Sequence, residues 1–316
     1  MREAQSRLRG VALRTPLVRL DIPNPSAAGV AGEIWLKLEN LQPIGSFKIR
    51  GAANAAALAR PEDLARGVYT ASAGNMAQGL AWVARRLGVE CAVVVPDTAP
   101  KAKLDAIERL GARYVREPFD RWWQVLVDHG YPGLDGHFVH PFHDAAVIAG
   151  NGTAGLEILE DLPDVDTILV PWGGGGLSCG IAAAARAISK RVSVYACEVE
   201  TAAPLAASFE AGAPRAIPYR PSFVDGIGSG GVLPEMWPLA QRLLDGARVA
   251  RLPEVADAVR LLATRQRVVA EGAGATPVAV ALSDRAPSPA GKTVCVVSGG
   301  NIDAAKLARI LEGGMP

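Results

Sequence analysis

A lysine between two glycines is the residue of this chain best placed for covalent chemistry. Lys48 lies between Gly45 and Gly51, after a strand-like segment and before an alanine-rich helical one. An amine held in an apolar site has a lowered pKa and can form an imine with a carbonyl compound. A lone lysine is more often a solvated surface residue. The adjoining Phe47 and the glycines, which allow close backbone approach to a ligand, favour a reactive lysine.

A second candidate is the run Gly173, Gly174, Gly175 and Gly176, between a buried strand and a helix that starts near Leu177. Successive glycines expose backbone N–H groups, and the helix dipole adds positive potential, so the run predicts a phosphate site. A tight turn would need only one or two glycines. The spacing matches neither the nucleoside-triphosphate loop nor the dinucleotide motif, which favours a small phosphate monoester.

Two further loops follow strand-like segments. Ser72, Ala73, Gly74 and Asn75 offer amides and a hydroxyl to a carboxylate, and Asn75 could contact a ring hydroxyl. Ser298 offers a hydroxyl at the end of another strand. Helix capping is the alternative role for both loops. An imine-forming lysine with sites for a phosphate and a carboxylate suits pyridoxal phosphate and an amino acid.

The four histidines raise the question of a metal. They fall between His129 and His143, and three are spaced by three residues. No cysteine is near, and Pro141 interrupts the regular geometry that would direct the rings to one point. We therefore predict no metal site. For acyl transfer, Ser46 and Lys48 also lack the Ser-x-x-Lys spacing.

The elements that must position these residues alternate between strand and helix. Near-continuous apolar strands predict an α/β fold with mostly parallel sheets covered by helices on both faces. In the segment 33–39 the apolar residues alternate with Trp35, Lys37 and Glu39, which predicts a half-buried strand with these three on its polar face. Further strands are expected at 68–71, 91–95, 112–115, 167–170, 192–197 and 292–298.

The helical pattern covers most of the remaining chain. A turn-rich loop is expected at 23–32, and Gly88 is expected to end a helix. The last helix is expected to open at 299–301. Other helices are expected at 52–59, 101–110, 147–160, 177–188, 234–244 and 254–269, with one more around Trp122 and Trp123.

Composition limits the class of protein. The 316 residues suffice for two domains, and a net charge of +1 gives no field for nucleic acid or anionic lipid. No apolar run approaches membrane-spanning length, and the N-terminus lacks a secretory segment. The four cysteines, Cys91, Cys179, Cys197 and Cys295, are scattered, as buried free thiols are. We expect a cytoplasmic protein.

The ordered motifs resemble those of the fold-type II pyridoxal-phosphate enzymes, which are tryptophan-synthase-beta-like, and within them the threonine/serine dehydratase and serine racemase branch. The matching segments are Leu-Glu-Asn-Leu-Gln at 38–42, Gly-Ser-Phe-Lys-Ile-Arg-Gly-Ala at 45–52, Ser-Ala-Gly-Asn-Met-Ala-Gln-Gly at 72–79, His-Pro-Phe at 140–142, Ile-Ala-Gly-Asn-Gly-Thr at 148–153, Gly-Gly-Gly-Gly-Leu at 173–177 and Ser-Gly-Gly-Asn at 298–301.

The resemblance implies a role for each matched residue. Lys48 would bind the cofactor as an imine and later move the alpha proton, and Phe47 would pack on the ring. Asn75 would contact the ring hydroxyl, Ser298 the pyridine nitrogen, and Gly226 would lie beside the ring. The phosphate would be held by Gly173, Gly174, Gly175, Gly176 and Leu177, and the substrate carboxylate by Ser72, Ala73, Gly74, Asn75 and Met76.

The resemblance also implies an architecture of two domains. Two open, twisted, mostly parallel sheets flanked by helices would form a large cofactor-binding domain from residues 1–46 and 145–316 and a small mobile domain from residues 47–144. Movement of the small domain would close the site and exclude water. A homodimer is the usual form of the family, and the partner of the site is a small amino-acid substrate rather than nucleic acid or membrane.

The expected reaction is beta-elimination from a 3-hydroxy amino acid such as L-threonine or L-serine, giving a 2-oxo acid and ammonia. A neutral Ser298 makes a weaker electron sink than a carboxylate, which suits expulsion of a leaving group. Ala73 stands where racemases of this branch carry a serine, and Met76 where histidine is common. Pro204 stands where cation-binding members place an aspartate beside the glutamate matched by Glu198.

Alternatives remain for the substrate and for the reaction. A bulkier substrate of the 3-phenylserine or hydroxyaspartate type is the alternative for the substrate, because methionine at position 76 is apolar and adaptable. Racemization and beta-replacement are less favoured by the motifs. A protein that binds the cofactor without catalysis is the alternative from a different class, and the intact Lys48 argues against it.

Overall fold

A computed structural model describes residues 1–22, 32–287 and 291–316. The turn-rich loop expected at 23–32 therefore lies outside the described residues, apart from Gly32. The described strands are β1 (Leu17–Arg19), β2 (Glu33–Leu38), β3 (Val68–Ala71), β4 (Cys91–Pro96), β5 (Arg113–Glu117), β6 (His137–Phe138), β7 (Thr167–Pro171), β8 (Ser193–Val199), β9 (Ala247–Ala250) and β10 (Lys292–Val297).

The strands form two sheets. The larger has the order β1-β2-β10-β7-β8-β9, and all its pairings are parallel except that of β1 with β2. The smaller has the order β5-β4-β3-β6 and is wholly parallel. All strands of the smaller sheet fall within residues 47–144. The predicted fold class, two mostly parallel sheets flanked by helices, is confirmed.

The described helices surround both sheets. They are α1 (Arg2–Arg7), α2 (Lys48–Leu58), α3 (Pro61–Leu64), α4 (Asn75–Leu87), α5 (Lys101–Arg109), α6 (Phe119–Asp128), α7 (Ala145–Asp161), α8 (Gly176–Ile188), α9 (Pro204–Ala211), α10 (Trp237–Leu243), α11 (Leu252–Leu261), α12 (Gly272–Ala281) and α13 (Ala304–Leu311). Within the described ranges, no helix is both long and apolar enough to cross a membrane.

The apolar strands are continuous because both faces of the large sheet are buried. In β10, Val294 and Val296 pack into one core cluster, while Cys295 and Val297 pack into the cluster on the opposite face. Successive side chains of a strand point to opposite faces, so a strand covered on both sides must be apolar throughout. This is the pattern from which the parallel sheets were predicted.

Some predicted boundaries are wrong. The last helix begins at Ala304, where Asp303 accepts hydrogen bonds from two backbone amides, and not at 299–301, because Gly299 is paired with Ser46 in a β-bridge. The helix expected at 254–269 ends at Leu261 and continues as a π-helical turn. Helix α12 was not predicted, because it is buried on every side and its sequence has no amphipathic period.

The polar face predicted for β2 is also wrong, because its charged residues are buried. Lys37, Glu39, Arg50 and Glu157, the ionic cluster, are each at most 4% exposed. Arg50 contacts Glu39 and Glu157 at 2.7 Å each, and Lys37 Nζ lies 2.5 Å from Glu157. The ionic cluster therefore joins β2, α2 and α7 in the core. Its member in α2, Arg50, lies two residues after Lys48.

We predict that breaking the ionic cluster is strongly destabilising. Glu157→Ala leaves Lys37 and Arg50 buried without a shared carboxylate, which should lower the free energy of unfolding by about 3–5 kcal/mol. Urea denaturation of both proteins measures the difference. Asp105→Ala, which removes an exposed ion pair with Lys101, is the control and should change stability little. A Glu157→Ala protein as stable as the control would contradict the assignment.

Candidate active site

The loop that carries Lys48 is bonded to the carboxyl end of β10. The Phe47 amide donates to the Ser298 carbonyl at 3.0 Å, and the Gly300 amide donates to the Gly45 carbonyl at 2.9 Å. Lys48 then begins α2. These backbone bonds place the lysine at the edge of the large sheet where the carboxyl ends of parallel strands meet, the usual ligand position in such sheets.

One cavity of about 360 Å³ brings together all the predicted site residues. The residues predicted to contact the cofactor and the substrate line it: Phe47, Lys48, Ser72, Ala73, Gly74, Asn75, Met76, Gly173, Gly174, Gly175, Gly176, Leu177, Gly226 and Ser298. They come from loops at the carboxyl ends of strands in both sheets. Their individual roles stay predictions, but their convergence gives one site for the amine, the phosphate and the carboxylate.

The amine of Lys48 is held in the interior of this cavity. Its Nζ donates to the Pro141 carbonyl at 2.6 Å and lies 5.3 Å from the centre of the Phe47 ring. Burial lowers the pKa of Lys48 to about 8, although the nearby charge of Glu271 opposes the shift. A larger fraction of this amine is therefore neutral near physiological pH than of an ordinary lysine, and neutral amines form imines.

Two helices begin at the cavity without a side-chain cap. Helix α8 follows Gly175, which has a positive φ of 92°, and α4 follows Gly74. Neither glycine can satisfy the first amides of its helix with a side chain, so these N–H groups and the helix dipoles remain available to anions. The two anions predicted from the sequence, a phosphate and a carboxylate, each have such a helix start.

The glycine run also leaves no room for larger residues. A Cβ atom added at Gly174 would lie 2.2 Å from Cγ of Phe142, and one added at Gly175 would lie 2.4 Å from the Trp172 ring. At Gly173 the added atom would meet the carbonyl of Gly226 at 3.3 Å. Aromatic rings therefore pack directly on the backbone that would hold the phosphate, and the loops of Gly173 and Gly226 are adjacent.

Asn75 is fixed by two residues of the opposite loops. Its Nδ2 donates to Oε1 of Glu271 at 2.9 Å, and its Oδ1 accepts from Nδ2 of Asn301 at 2.8 Å. One N–H of the Asn75 amide is left free for a ligand. Glu271 is 196 residues from Asn75 along the chain, so the sequence did not reveal this bond.

Burial raises the pKa of Glu271 to about 7, with a further rise from the charge of Asp225. This carboxyl is 8% exposed and lines the cavity beside Gly226 and Ser298. Near neutral pH the protonated and ionised forms of Glu271 are therefore present in comparable amounts. Residues with such shifted pKa values cluster at functional sites.

The tautomer of His140 does not suit a metal ligand. Among the described residues, His129, His140 and Glu235 place their polar atoms within 4.8 Å of one another. However, Nδ1 of His140 accepts from the amides of Phe142 and His143, which fixes the proton of a neutral ring on Nε2. That nitrogen is then a donor and not a ligand.

The cation site of some family members is not matched either. The carboxylate of Glu198 accepts from the amides of Leu205 and Ala206 at 2.9 and 2.8 Å, at the start of α9. Pro204, where an aspartate would be needed, has no carboxylate. The residues present therefore do not fit the cation, and no step is assigned to it.

Comparison with known proteins identifies the family to which the chain belongs. Residues 8–300 match the family model described as pyridoxal-phosphate dependent enzyme, so the chain belongs to that family. L-threonine ammonia-lyases from Thermotoga maritima and Geobacter sulfurreducens are 39% and 40% identical over 100% of this chain and 78% of each relative. The structure of maize serine racemase is 32% identical, with a TM-score of 0.89 over 99% of this chain and 95% of that one.

The protein is thus a pyridoxal-phosphate dependent enzyme of fold-type II. The residues present fit the cofactor: a buried amine for its aldehyde, an uncapped helix start for its phosphate and glycines wherever a Cβ atom would fill the space.

We predict that Glu271→Gln removes a pH dependence of stability. The folded protein holds a proton on Glu271 up to about pH 7, whereas the unfolded chain releases it near 4.5. Stability of the cofactor-free protein should therefore fall as pH rises between these values, by about 3 kcal/mol from this group. Urea denaturation at pH 4.5 and 7 compares the variant with the wild type and with the exposed-site control Glu312→Gln. Equal pH dependence in all three would contradict the assignment.

We predict that Gly174→Ala weakens cofactor binding. The added methyl group must displace the Phe142 ring, and overpacking of this kind costs about 1–3 kcal/mol. The dissociation constant for pyridoxal phosphate, from fluorescence titration, should rise by about tenfold or more. Gly130→Ala, outside the cavity, brings its added atom no closer than 3.6 Å to another residue and should bind as the wild type does. Unchanged affinity in Gly174→Ala would show that this glycine does not form the phosphate site.

Proposed function

We propose that the protein is an ammonia-lyase that dehydrates and deaminates a 3-hydroxy amino acid, such as L-threonine or L-serine, to a 2-oxo acid and ammonia. The observation that carries this proposal is the half-buried Lys48 amine with its lowered pKa, in one cavity with two uncapped helix starts. The L-threonine ammonia-lyases at 39% and 40% identity support the same reaction.

Each part of the site has a task in this reaction. Bound pyridoxal phosphate supplies an aldehyde for the amino group and a ring that delocalises the electron pair left by the alpha proton. The start of α4, with Ser72 to Met76, binds the carboxylate of the substrate and orients its alpha carbon. With its lowered pKa, the Lys48 amine would remove the alpha proton as a general base.

Elimination is favoured over racemization by two side chains. Ala73 has no group that could donate or accept a proton on the face of the substrate opposite Lys48. Ser298 offers the ring nitrogen a neutral hydroxyl and no formal negative charge, so a carbanion gains little stabilisation and loss of the beta hydroxyl is the better outcome. Beta-replacement needs an external nucleophile, and turnover of O-acetylserine with sulfide would identify it.

We also propose that residues 47–144 form a small domain that closes over the cavity, and that the protein is a cytoplasmic homodimer. The four cysteines are buried free thiols, as expected of a reducing compartment. Lys103, from this proposed small domain, and Asp225, from outside it, form an ion pair at 2.7 Å that would favour closure.

We predict that Lys48→Ala abolishes both the visible absorbance of the bound cofactor and the formation of 2-oxo acid. The reason is that the imine-forming amine and the alpha-proton base are the same group. Absorbance spectra and an assay of 2-oxo acid from threonine and serine measure the two effects. The exposed-lysine variant Lys101→Ala is the control and should keep both. Turnover retained in Lys48→Ala would exclude the proposed function.

A further inference from the structure

We infer that the side-chain subsite of this enzyme accepts a bulky apolar group, so that its substrates include 3-hydroxy amino acids with an aromatic substituent on the beta carbon. The inference rests on the proposed function and names the substrate class. It is carried by four aromatic residues that line the cavity, Trp122, Trp123, Phe142 and Trp172, here called the aromatic wall.

The aromatic wall is adjacent to both groups that anchor an amino acid. The carbonyl of Val94 accepts from Nε1 of Trp122 at 3.1 Å and from the amide of Ser72 at 3.0 Å, so this indole lies beside the predicted carboxylate loop. Phe142 directly follows Pro141, whose carbonyl accepts a hydrogen bond from Lys48 Nζ. An amino acid held by its carboxylate and its amine therefore has the wall next to its side chain.

The rings pack on one another and continue into the core. Trp122 and Trp123 have ring centres 6.3 Å apart, and the exposed Phe119 stacks on Trp123 and lies tilted against Trp122. Trp123 and Phe142 also pack against the cluster that contains Trp172, which is 1% exposed. Three of the six tryptophans of the chain thus line one cavity. Trp172 is buried behind it, whereas Trp122 and Trp123 are only half-buried and leave surface that a further aromatic ring can contact.

The charges of the cavity argue against an acidic substituent. Of the described residues that line it, the charged ones are Lys48, Lys103, Asp225 and Glu271. Lys48 serves the reaction, and Lys103 is paired with Asp225 at 2.7 Å. A second carboxylate on the substrate, as in 3-hydroxyaspartate, would have no unpaired cation of these residues to meet, and it would lie near two acidic side chains.

Methionine at position 76 is consistent with the same class. Met76 lines the cavity, is 1% exposed and belongs to the predicted carboxylate loop. Its side chain packs in the apolar core of the smaller sheet. The loop therefore presents no charged side chain to the subsite.

The test compares three substrates with the holoenzyme. Ammonia release is measured for 3-phenylserine, threonine and 3-hydroxyaspartate. We expect kcat/KM for 3-phenylserine to equal or exceed that for threonine and to exceed that for 3-hydroxyaspartate by about tenfold or more. Any other order among active substrates overturns the inference, while threonine turnover leaves the proposed function standing. No ammonia from any of the three would remove both.

A binding measurement separates the subsite from the chemistry. L-phenylalanine and L-alanine lack the beta hydroxyl, so their affinities for the holoenzyme, from isothermal titration, report the subsite alone. We expect phenylalanine to bind more tightly, and Trp123→Ala to reduce that preference by about tenfold, the effect of a lost apolar contact. Trp82→Ala, which changes a tryptophan of α4 that does not line the cavity, should keep it. If Trp123→Ala does not fold, Trp123→Leu replaces it and should also reduce the preference for phenylalanine over alanine. Equal binding of the two amino acids by the wild type overturns the inference.

Discussion

The structure depends on holding one amine away from water between two sheets. Lys48 starts a helix at the cavity, and three contacts hold it there: the β-bridge between Ser46 and Gly299, the Pro141 carbonyl and the Phe47 ring. Desolvation then lowers the pKa of the amine, which is the property that imine chemistry needs. The loops for phosphate and carboxylate are useful only because they end at the same cavity.

Polar contacts in the interior fix the position of this helix. The ionic cluster attaches α2 to β2 and α7 through Arg50, two residues after the lysine. A buried cluster of this kind adds little net stability compared with apolar packing, but it has one satisfactory geometry. On the other side of the cavity, Glu271 and Asn301 fix the amide of Asn75 in the same way. The two networks therefore define where the amine and the ring contact lie relative to each other.

Much of the fold and of the site could be predicted because their signals are local. A strand buried on both faces is a continuous apolar run, as in β4 and β10, and a glycine loop between strand and helix marks an anion site wherever it occurs. Gly88 ends α4 in the left-handed conformation that was expected of it. The features that were missed depend on partners distant in sequence. Lys37 and Glu39 read as an exposed face because their partners, Arg50 and Glu157, lie on other elements. Helix α12 has no polar face that would reveal its helical period. The position of Trp122 beside Ser72 depends on Val94, which is distant from Trp122 in sequence and accepts hydrogen bonds from both residues.

The central claim is that the amine of Lys48, and no other lysine, carries the cofactor. Borohydride reduction of the loaded enzyme, followed by peptide mass mapping, tests it directly, because reduction converts the imine to a stable secondary amine. The account predicts one pyridoxyl group per chain, on the peptide that contains Lys48. Attachment to a different lysine, such as Lys103 at the edge of the cavity, or no attachment at all, would contradict it.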